Sequence, residues 1–329
     1  MSLLPPPPDA DPASPYQPVP IGHLFPHVPG EFEVYLRNGD NHMLFARNGE
    51  ALSPERRRIL AEHEVRVVYI PREEQGQYRD YMRRHLGEAL LSQDMPLEDK
   101  AAVFYHDCCG IVRELVHERL PREVAERYGR MLVTYVRDSV AFLCTEGGLA
   151  RMGALMVHDY EVYSHGVHVF VYTIFLLKSL GFSPATIVQA GVGALLHDSG
   201  KEDIDVSILK KPGRLSPEEF LAIREHPERG VRRCRPLSLS RLAVECILMH
   251  HEKVNGLGYP RGLSGEAVPL HVRAVSLADV YDALTSRRIY ADAVRPYEAL
   301  SIMRHEMAGS FDLNLYKRFV MLLGGAALL

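Results

Sequence analysis

Seven side chains of metal-binding type fall within 115 residues of this chain: His165, the doublet His197-Asp198, His226, the doublet His250-His251, and Asp279. Thiols are absent from the set, which suits a hydrolytic centre of several iron or manganese ions better than a zinc finger. Each ligand lies in, or at the end of, a segment with helical apolar spacing. A fold that uses them together is therefore expected to be built from helices in this half of the chain.

At 329 residues the chain exceeds what one hydrophobic core usually serves, so two domains are expected. A net charge of −4 and a pI near 6.5 leave no general electrostatic footprint for DNA or RNA. The five cysteines, Cys108, Cys109, Cys144, Cys234 and Cys246, form no C-x-x-C pair. They read as small buried hydrophobes in a reducing cytoplasm. The N-terminus lacks the basic and apolar regions of a signal peptide, and the longest apolar run, Val167 to Leu177, is interrupted by His168 and too short to cross a bilayer. A soluble cytoplasmic protein with no membrane partner is the expectation.

Residues 1–20, rich in Pro, Ala, Ser and Asp, predict a flexible tail. A ββαβα module is expected over 21–86: strands at Phe32 to Leu36 and His42 to Ala46 about the turn Asn38-Gly39-Asp40, and a helix opened by Ser53-Pro54-Glu55. The β-branched run Val65 to Ile70 and a helix over Glu73 to Leu86 complete it. The module shows no catalytic constellation, and His42, His63 and His85 read as surface residues. It is expected to sense a signal or to dimerise. Two helices then fill 87–149, one over Ala101 to Leu120 and one from Pro121 through Phe142. They are expected to bridge the domains, to form a dimer interface, or simply to pack a core. Residues 150–329 carry the ligands on helices, so the fold class is mainly α, preceded by a small α+β domain.

Glu161 and His165 are four apart, so on a helix they share a face. His168 reads as a packing residue or as a partner to a ligand. In His197-Asp198-Ser199-Gly200-Lys201 the doublet ends an apolar helix, where the Asp can bridge two ions and Lys201 can meet a phosphate. Taken alone, the same residues read equally well as a helix cap. His226 opens a helix, and His250-His251-Glu252 close one before the tight loop Asn255-Gly256-Leu257-Gly258-Tyr259-Pro260. Asp279, in an apolar helix, is costly to bury unless paired or bound to metal, and Asp282 is a candidate partner for it.

These motifs, with His226-Pro227, Gly258-Tyr259-Pro260-Arg261-Gly262-Leu263 and Asp279 through Ser286, resemble the HD-GYP domain, a subset of the HD phosphohydrolase superfamily. The likeness covers about residues 150–325 in the family's order. It implies an all-helical domain that hydrolyses cyclic di-GMP to linear pGpG and, in some members, onward to GMP. By motif position His165, His197, Asp198, His226, His250, His251 and Asp279 look like the metal ligands, with Asp198 bridging. Glu161 stands where some members supply a carboxylate for a third ion, which favours three ions over two. Asp198 and Lys201 look catalytic, and Lys201, Gly256, Tyr259 and Arg288 resemble substrate contacts.

The chain departs from the family pattern at Ser199, where Ile or Val is usual, at Asn255, where Asp is typical, at Ile289, where Pro is usual, and at Ala291, often basic. The lost cation puts substrate affinity, the second cleavage or the preferred dinucleotide in question. The expected chemistry is metal-assisted in-line hydrolysis, since coordination lowers the pKa of water from about 15.7 to about 7. Two other readings stand beside it: a low-activity cyclic dinucleotide receptor acting through signalling partners, as a homodimer or otherwise, and a hydrolase of a related cyclic dinucleotide such as cyclic GMP-AMP.

Overall fold

The computed structural model describes residues 14–25, 27–92, 95, 97–117, 122–145, 152, 164–286 and 293–325. The chain divides into two compact units, Met1–Asp107 and Cys108–Leu329. In the first, strands β1 (Tyr16–Pro20), β2 (Val34–Asn38), β3 (Asn41–Ala46) and β4 (Val67–Pro71) form an antiparallel sheet in the order β1-β4-β2-β3. Helices α1 (Pro54–Glu62) and α2 (Gln75–Leu91) follow the pattern expected of this module, with the Arg56 N–H donating to Ser53 Oγ as the helix cap.

Two boundaries differ from the sequence reading. The tail expected over 1–20 is shorter, because Tyr16–Pro20 pair with Pro71–Val67 as an edge strand. Proline is tolerated there only where its nitrogen has no bond to make. Ile21 donates to Arg66 O, so the odd-numbered N–H groups of this segment face β4, and Pro18 and Pro20 direct their bare nitrogens outward. Val19 then points inward with Val68 and Ile70, all at 2% exposure or less. At the other end α2 runs to Leu91, past residue 86. His42 is also less exposed than expected, since its ring stacks on Tyr16 at 4.2 Å and meets Tyr69 edge-on at 4.8 Å.

The division between the units falls within α3 (Leu97–His117). In the second unit α4 (Arg122–Leu143) packs closely on the turn at Arg235–Leu237, where a Cβ on Gly129 would lie 2.1 Å from Leu237 O. A core-packing role, one of those expected for it, is thus visible within its own unit.

Next come α5 (Ser164–Ser179), α6 (Pro184–Leu196), the single turn α7 (Val206–Leu209), α8 (Pro217–Arg224), α9 (His226–Cys234), α10 (Arg241–Met249), α11 (Leu270–Thr285), α12 (Pro296–His305) and α13 (Leu313–Gly325). Serine caps start several of them: Ser183 accepts from Thr186 N, Ser240 from Ala243 N, and Ser216 forms a reciprocal capping box with Glu219. Each such cap contributes about 1 kcal/mol. Helix α5 is buried from Val167 through Leu177, which explains why its sequence is apolar all round rather than striped. It packs against α6 and α11, and the edge-to-face trio Tyr172, Tyr281 and Phe319 ties it to α11 and α13 at centroid distances of 5.1 to 5.6 Å. Among the described residues no helix is long and apolar enough to cross a membrane.

Candidate metal centre

The helical core brings chain segments far apart in sequence to one point. Helix α6 ends at Leu196, His197 caps it, and Asp198 leads into a 3-10 turn over Ser199–Asp203. Gly200 in that turn lies directly on α9: a Cβ there would sit 1.9 Å from His226 O and 2.4 Å from Gly230 N, so only glycine allows the approach. The contact sets His226, first residue of α9, opposite Asp198. Ser199 fits the same tight packing by pairing its hydroxyl with Cys234 Sγ at 3.3 Å, which accounts for a polar residue at a buried position.

Asp198 lies between two groups of ligand-type side chains. Its Oδ2 is 3.6 Å from His165 Nε2 and 3.5 Å from His197 Nε2, while its Oδ1 is 3.4 Å from His226 Nε2 and 3.9 Å from His250 Nε2. Asp279 completes the first group, with Oδ1 at 3.1 Å from His165 and 3.7 Å from His197. His251 completes the second with His226 and His250, and its Nδ1 lies 3.8 Å from Asp279 Oδ2. Seven side chains named from the sequence therefore converge. Glu161 and Arg288, with the departures at Ile289 and Ala291, lie outside the described residues.

Helix ends also orient the rings. His197 donates its Nδ1–H to Ala194 O at 2.7 Å, His226 to Ile223 O at 2.7 Å, and His250 to Ile247 O at 2.9 Å. Each proton on Nδ1 leaves the Nε2 lone pair facing inward, the arrangement a metal-binding imidazole requires. Asp282 does not pair with Asp279, the partner suggested by their spacing. It points one turn along α11 toward α5, where Oδ2 holds His165 Nδ1 and Oδ1 holds His168 Nδ1, both at 2.7 Å. His168 is accordingly a buried partner to a ligand's anchor, one of the two roles expected of it.

Two features fit divalent cations at this place. His226 Nε2 and His250 Nε2 face each other at 3.1 Å although each ring already spends its proton on a carbonyl. His197 Nε2 and Asp198 Oδ1 are buried with no hydrogen-bond partner. Burial, with His251 and His197 alongside, pushes His250 well below the usual imidazole range, and burial takes His251 down to about 4. On the other side burial opposes charge on His197, but Asp198 and Asp279 overcome it and raise the ring to about 10. Burial likewise opposes charge on Asp198 and Asp279, yet Lys201 and His197 hold the first, and His165 and His197 the second, well below the carboxylate range. The carboxylate side thus draws positive charge, which His197 takes up as a proton, while His250 and His251 are unprotonated, and a cation at the centre answers both conditions.

At the rim, Lys201 Nζ donates to Asp198 Oδ2 at 2.5 Å. The Tyr259 ring lies over His251 at 4.7 Å and 31°. Burial, then the Asp198 and Asp279 carboxylates, raise its phenol, which stays a neutral donor. Gly256 takes φ +78° in the turn closed by the Asn255–Ser264 bridge, and Asn255 Oδ1 accepts from Leu257 N at 3.0 Å. Asparagine suffices for that bond.

Two residues with a place at the site, Glu252 and Arg224, were given no role from the sequence. Buried Glu252 accepts from Arg261 N at 2.7 Å and Leu263 N at 2.9 Å, holding the loop that carries Tyr259. Gly258 makes the loop's closest approach: a Cβ would fall 2.4 Å from Lys253 N. Arg224, two residues before His226, lies on the Tyr259 ring at 4.7 Å. The adjacency of Glu252 to the histidine doublet was a signal for the first; the second had none.

Residues 174–315 match the HD domain family. Among curated relatives, a cyclic di-GMP phosphodiesterase of Pseudomonas aeruginosa is 37% identical over 189 residues, 56% of this chain and 45% of that one. A cyclic di-GMP phosphodiesterase of Vibrio cholerae is 41% identical, covering 42% of this chain and 30% of that one. A 3'3'-cGAMP-specific phosphodiesterase of the same organism is 35% identical, covering 45% and 32%. The chain thus spans less than half the length of these relatives. A solved HDG"Y"P protein from Bdellovibrio bacteriovorus shares the fold with a TM-score of 0.66 at 21% identity, over 94% of this chain and 100% of that one. With the His197-Asp198 doublet, the paired histidines and the Gly258-Tyr259-Pro260 loop assembled around one centre, residues 174–315 form a domain of the HD family that carries the motifs of its HD-GYP subset.

Proposed function

We propose that the chain is a metal-dependent phosphodiesterase that opens cyclic di-GMP to linear pGpG. The observation that carries this reading is Asp198, whose two carboxylate oxygens address two separate groups of imidazoles. His165, His197 and Asp279 would hold one ion, His226, His250 and His251 a second, with Asp198 shared, and Glu161 would serve a third. Iron or manganese suits this mixed imidazole and carboxylate set. Bound there, divalent ions activate water near neutral pH and offset the charge of a phosphoryl group.

The protein's own groups do the rest. Lys201 sets an ammonium beside Asp198, where the phosphate of a substrate arrives. Tyr259 remains a neutral phenol, able to donate a hydrogen bond to a substrate oxygen. Glu252 fixes the loop that presents it, and Asp282 fixes His165. Gly256 and Arg288 complete the substrate contacts in this reading. The N-terminal unit regulates the activity or dimerises, and the protein works in the cytoplasm.

A second substrate, cyclic GMP-AMP, is favoured by the likeness to 3'3'-cGAMP-specific phosphodiesterases at 35% identity. The test is the metal content of anaerobically purified protein together with chromatography of products from both dinucleotides. Two or three iron or manganese ions per chain with pGpG formed, and both lost in Asp198→Ala, are the expected results. Full metal occupancy with tight binding and no product would make the protein a receptor instead.

A further inference from the structure

The guanidinium beside the Tyr259 ring has no carboxylate partner among the described residues. Arg224 lies 4.7 Å from the Tyr259 ring centre and 5.9 Å from that of Phe220, one turn back on α8. The same ring also contacts His251 of the ligand cluster at 4.7 Å. Arg224 is partly buried, and among the described residues it makes no ion pair or hydrogen bond. Arg229, Arg233 and Arg273 instead pair with Glu225, Asp203 and Asp312.

A partly buried guanidinium over an aromatic ring with no carboxylate beside it favours an anion arriving there. With no hydrogen bond or ion pair among the described residues, its N–H donors are open to a bidentate anionic partner. Two rings also hold the side chain in place, so little rotamer entropy remains to be lost on binding.

We infer that Arg224 is a substrate-binding residue that pairs with the second phosphate of a cyclic dinucleotide while the first lies at the metal centre. This deepens the proposed function and rests on it. The partner is a phosphate rather than a base edge because what the site lacks is charge: a base edge is neutral, and a cyclic dinucleotide brings two anions. A substrate with one phosphate gains nothing from this residue, so Arg224 makes the site selective for dinucleotides over simple diesters. Arg224 also packs on Tyr259, and the two roles predict different kinetics.

The test compares wild type, Arg224→Gln and Arg224→Lys in steady-state hydrolysis of cyclic di-GMP, cyclic GMP-AMP and bis(4-nitrophenyl) phosphate, with metal content and thermal unfolding measured on each protein. Arg224→Gln is expected to raise KM for both cyclic dinucleotides at least tenfold with kcat within threefold. The ratio of kcat/KM between dinucleotide and the simple diester should fall by a similar factor. Arg224→Lys, which keeps the charge, should recover part of the loss, and the KM of wild type should rise more steeply with salt than that of Arg224→Gln. A KM within twofold of wild type, or an equal fall on dinucleotides and simple diester alike, would overturn the assignment and leave Arg224 a packing residue. Wild type that cleaves the simple diester but no cyclic dinucleotide would instead overturn the underlying reading, and the assignment with it.

Discussion

Glu252 accepts a hydrogen bond from the backbone N–H of Arg261 at 2.7 Å, tying the residue after the paired histidines to the residue after Tyr259-Pro260. A second bond, from Leu263 N at 2.9 Å, uses the other carboxylate oxygen. The loop is thus held by one buried side chain, and the stack of Tyr259 on His251 depends on that hold. Glu252→Ala leaves two N–H groups without their acceptor. It is expected to cost about 2 to 4 kcal/mol in urea unfolding, whereas Glu252→Gln, which keeps one acceptor oxygen, should cost about half as much.

Asp282 anchors His165 and His168 together, so its removal should act on metal affinity rather than on chemistry directly. Asp282→Asn is expected to weaken metal binding by about 10- to 100-fold, the usual effect of losing a carboxylate behind a ligand histidine. Competition with a metal-responsive chelator measures this. An unchanged affinity would show that α5 packing alone orients His165.

Gly200→Ala places a methyl group against the backbone of α9, 1.9 Å from His226 O. Neither turn nor helix can yield without moving a ligand, so a loss of about 3 kcal/mol or more is expected together with loss of bound metal. Gly76→Ala in α2 meets nothing within 4 Å and should stabilise by about 0.5 to 1 kcal/mol. Chemical denaturation of the two variants side by side checks the contrast.

Asp312 caps α13 through Asn314 N and Leu315 N and pairs with Arg273 at 2.7 Å. Burial opposes its charge, but these bonds and the guanidinium hold its carboxyl below the ordinary range. A lowered folded-state pKa means the unfolded chain binds the proton more readily. The contribution is therefore complete above the unfolded value of about 3.9 and is lost as pH falls through the folded one. Wild type should exceed Asp312→Asn by about 1 kcal/mol at pH 6, and the gap should close below pH of about 4. Thermal melts across that range show it.

What the sequence made legible was local. Ligand types at helix ends can be read from residue identity and spacing. The Asp282 contacts, the Glu252 acceptor pair and the Arg224 stack were not legible in the same way. Each joins residues whose neighbourhood exists only after distant segments meet: Arg224 and Tyr259 are brought together by the packing of α8 beside the loop after α10. Strand β1 was missed for another reason. Its prolines argue against a strand in general, and only the knowledge that it lies at a sheet edge with its even-numbered nitrogens outward reverses the argument.

That edge has a consequence for how the N-terminal sheet meets other chains. A strand arriving beside Tyr16–Pro20 would look for amide donors at Tyr16, Pro18 and Pro20 and find only the first, which already donates to Ser14 Oγ at 3.2 Å. The sheet is thereby sealed on that flank against fibre-like growth by imino acids alone, and any strand-to-strand association of this unit is directed to the opposite flank, at β3.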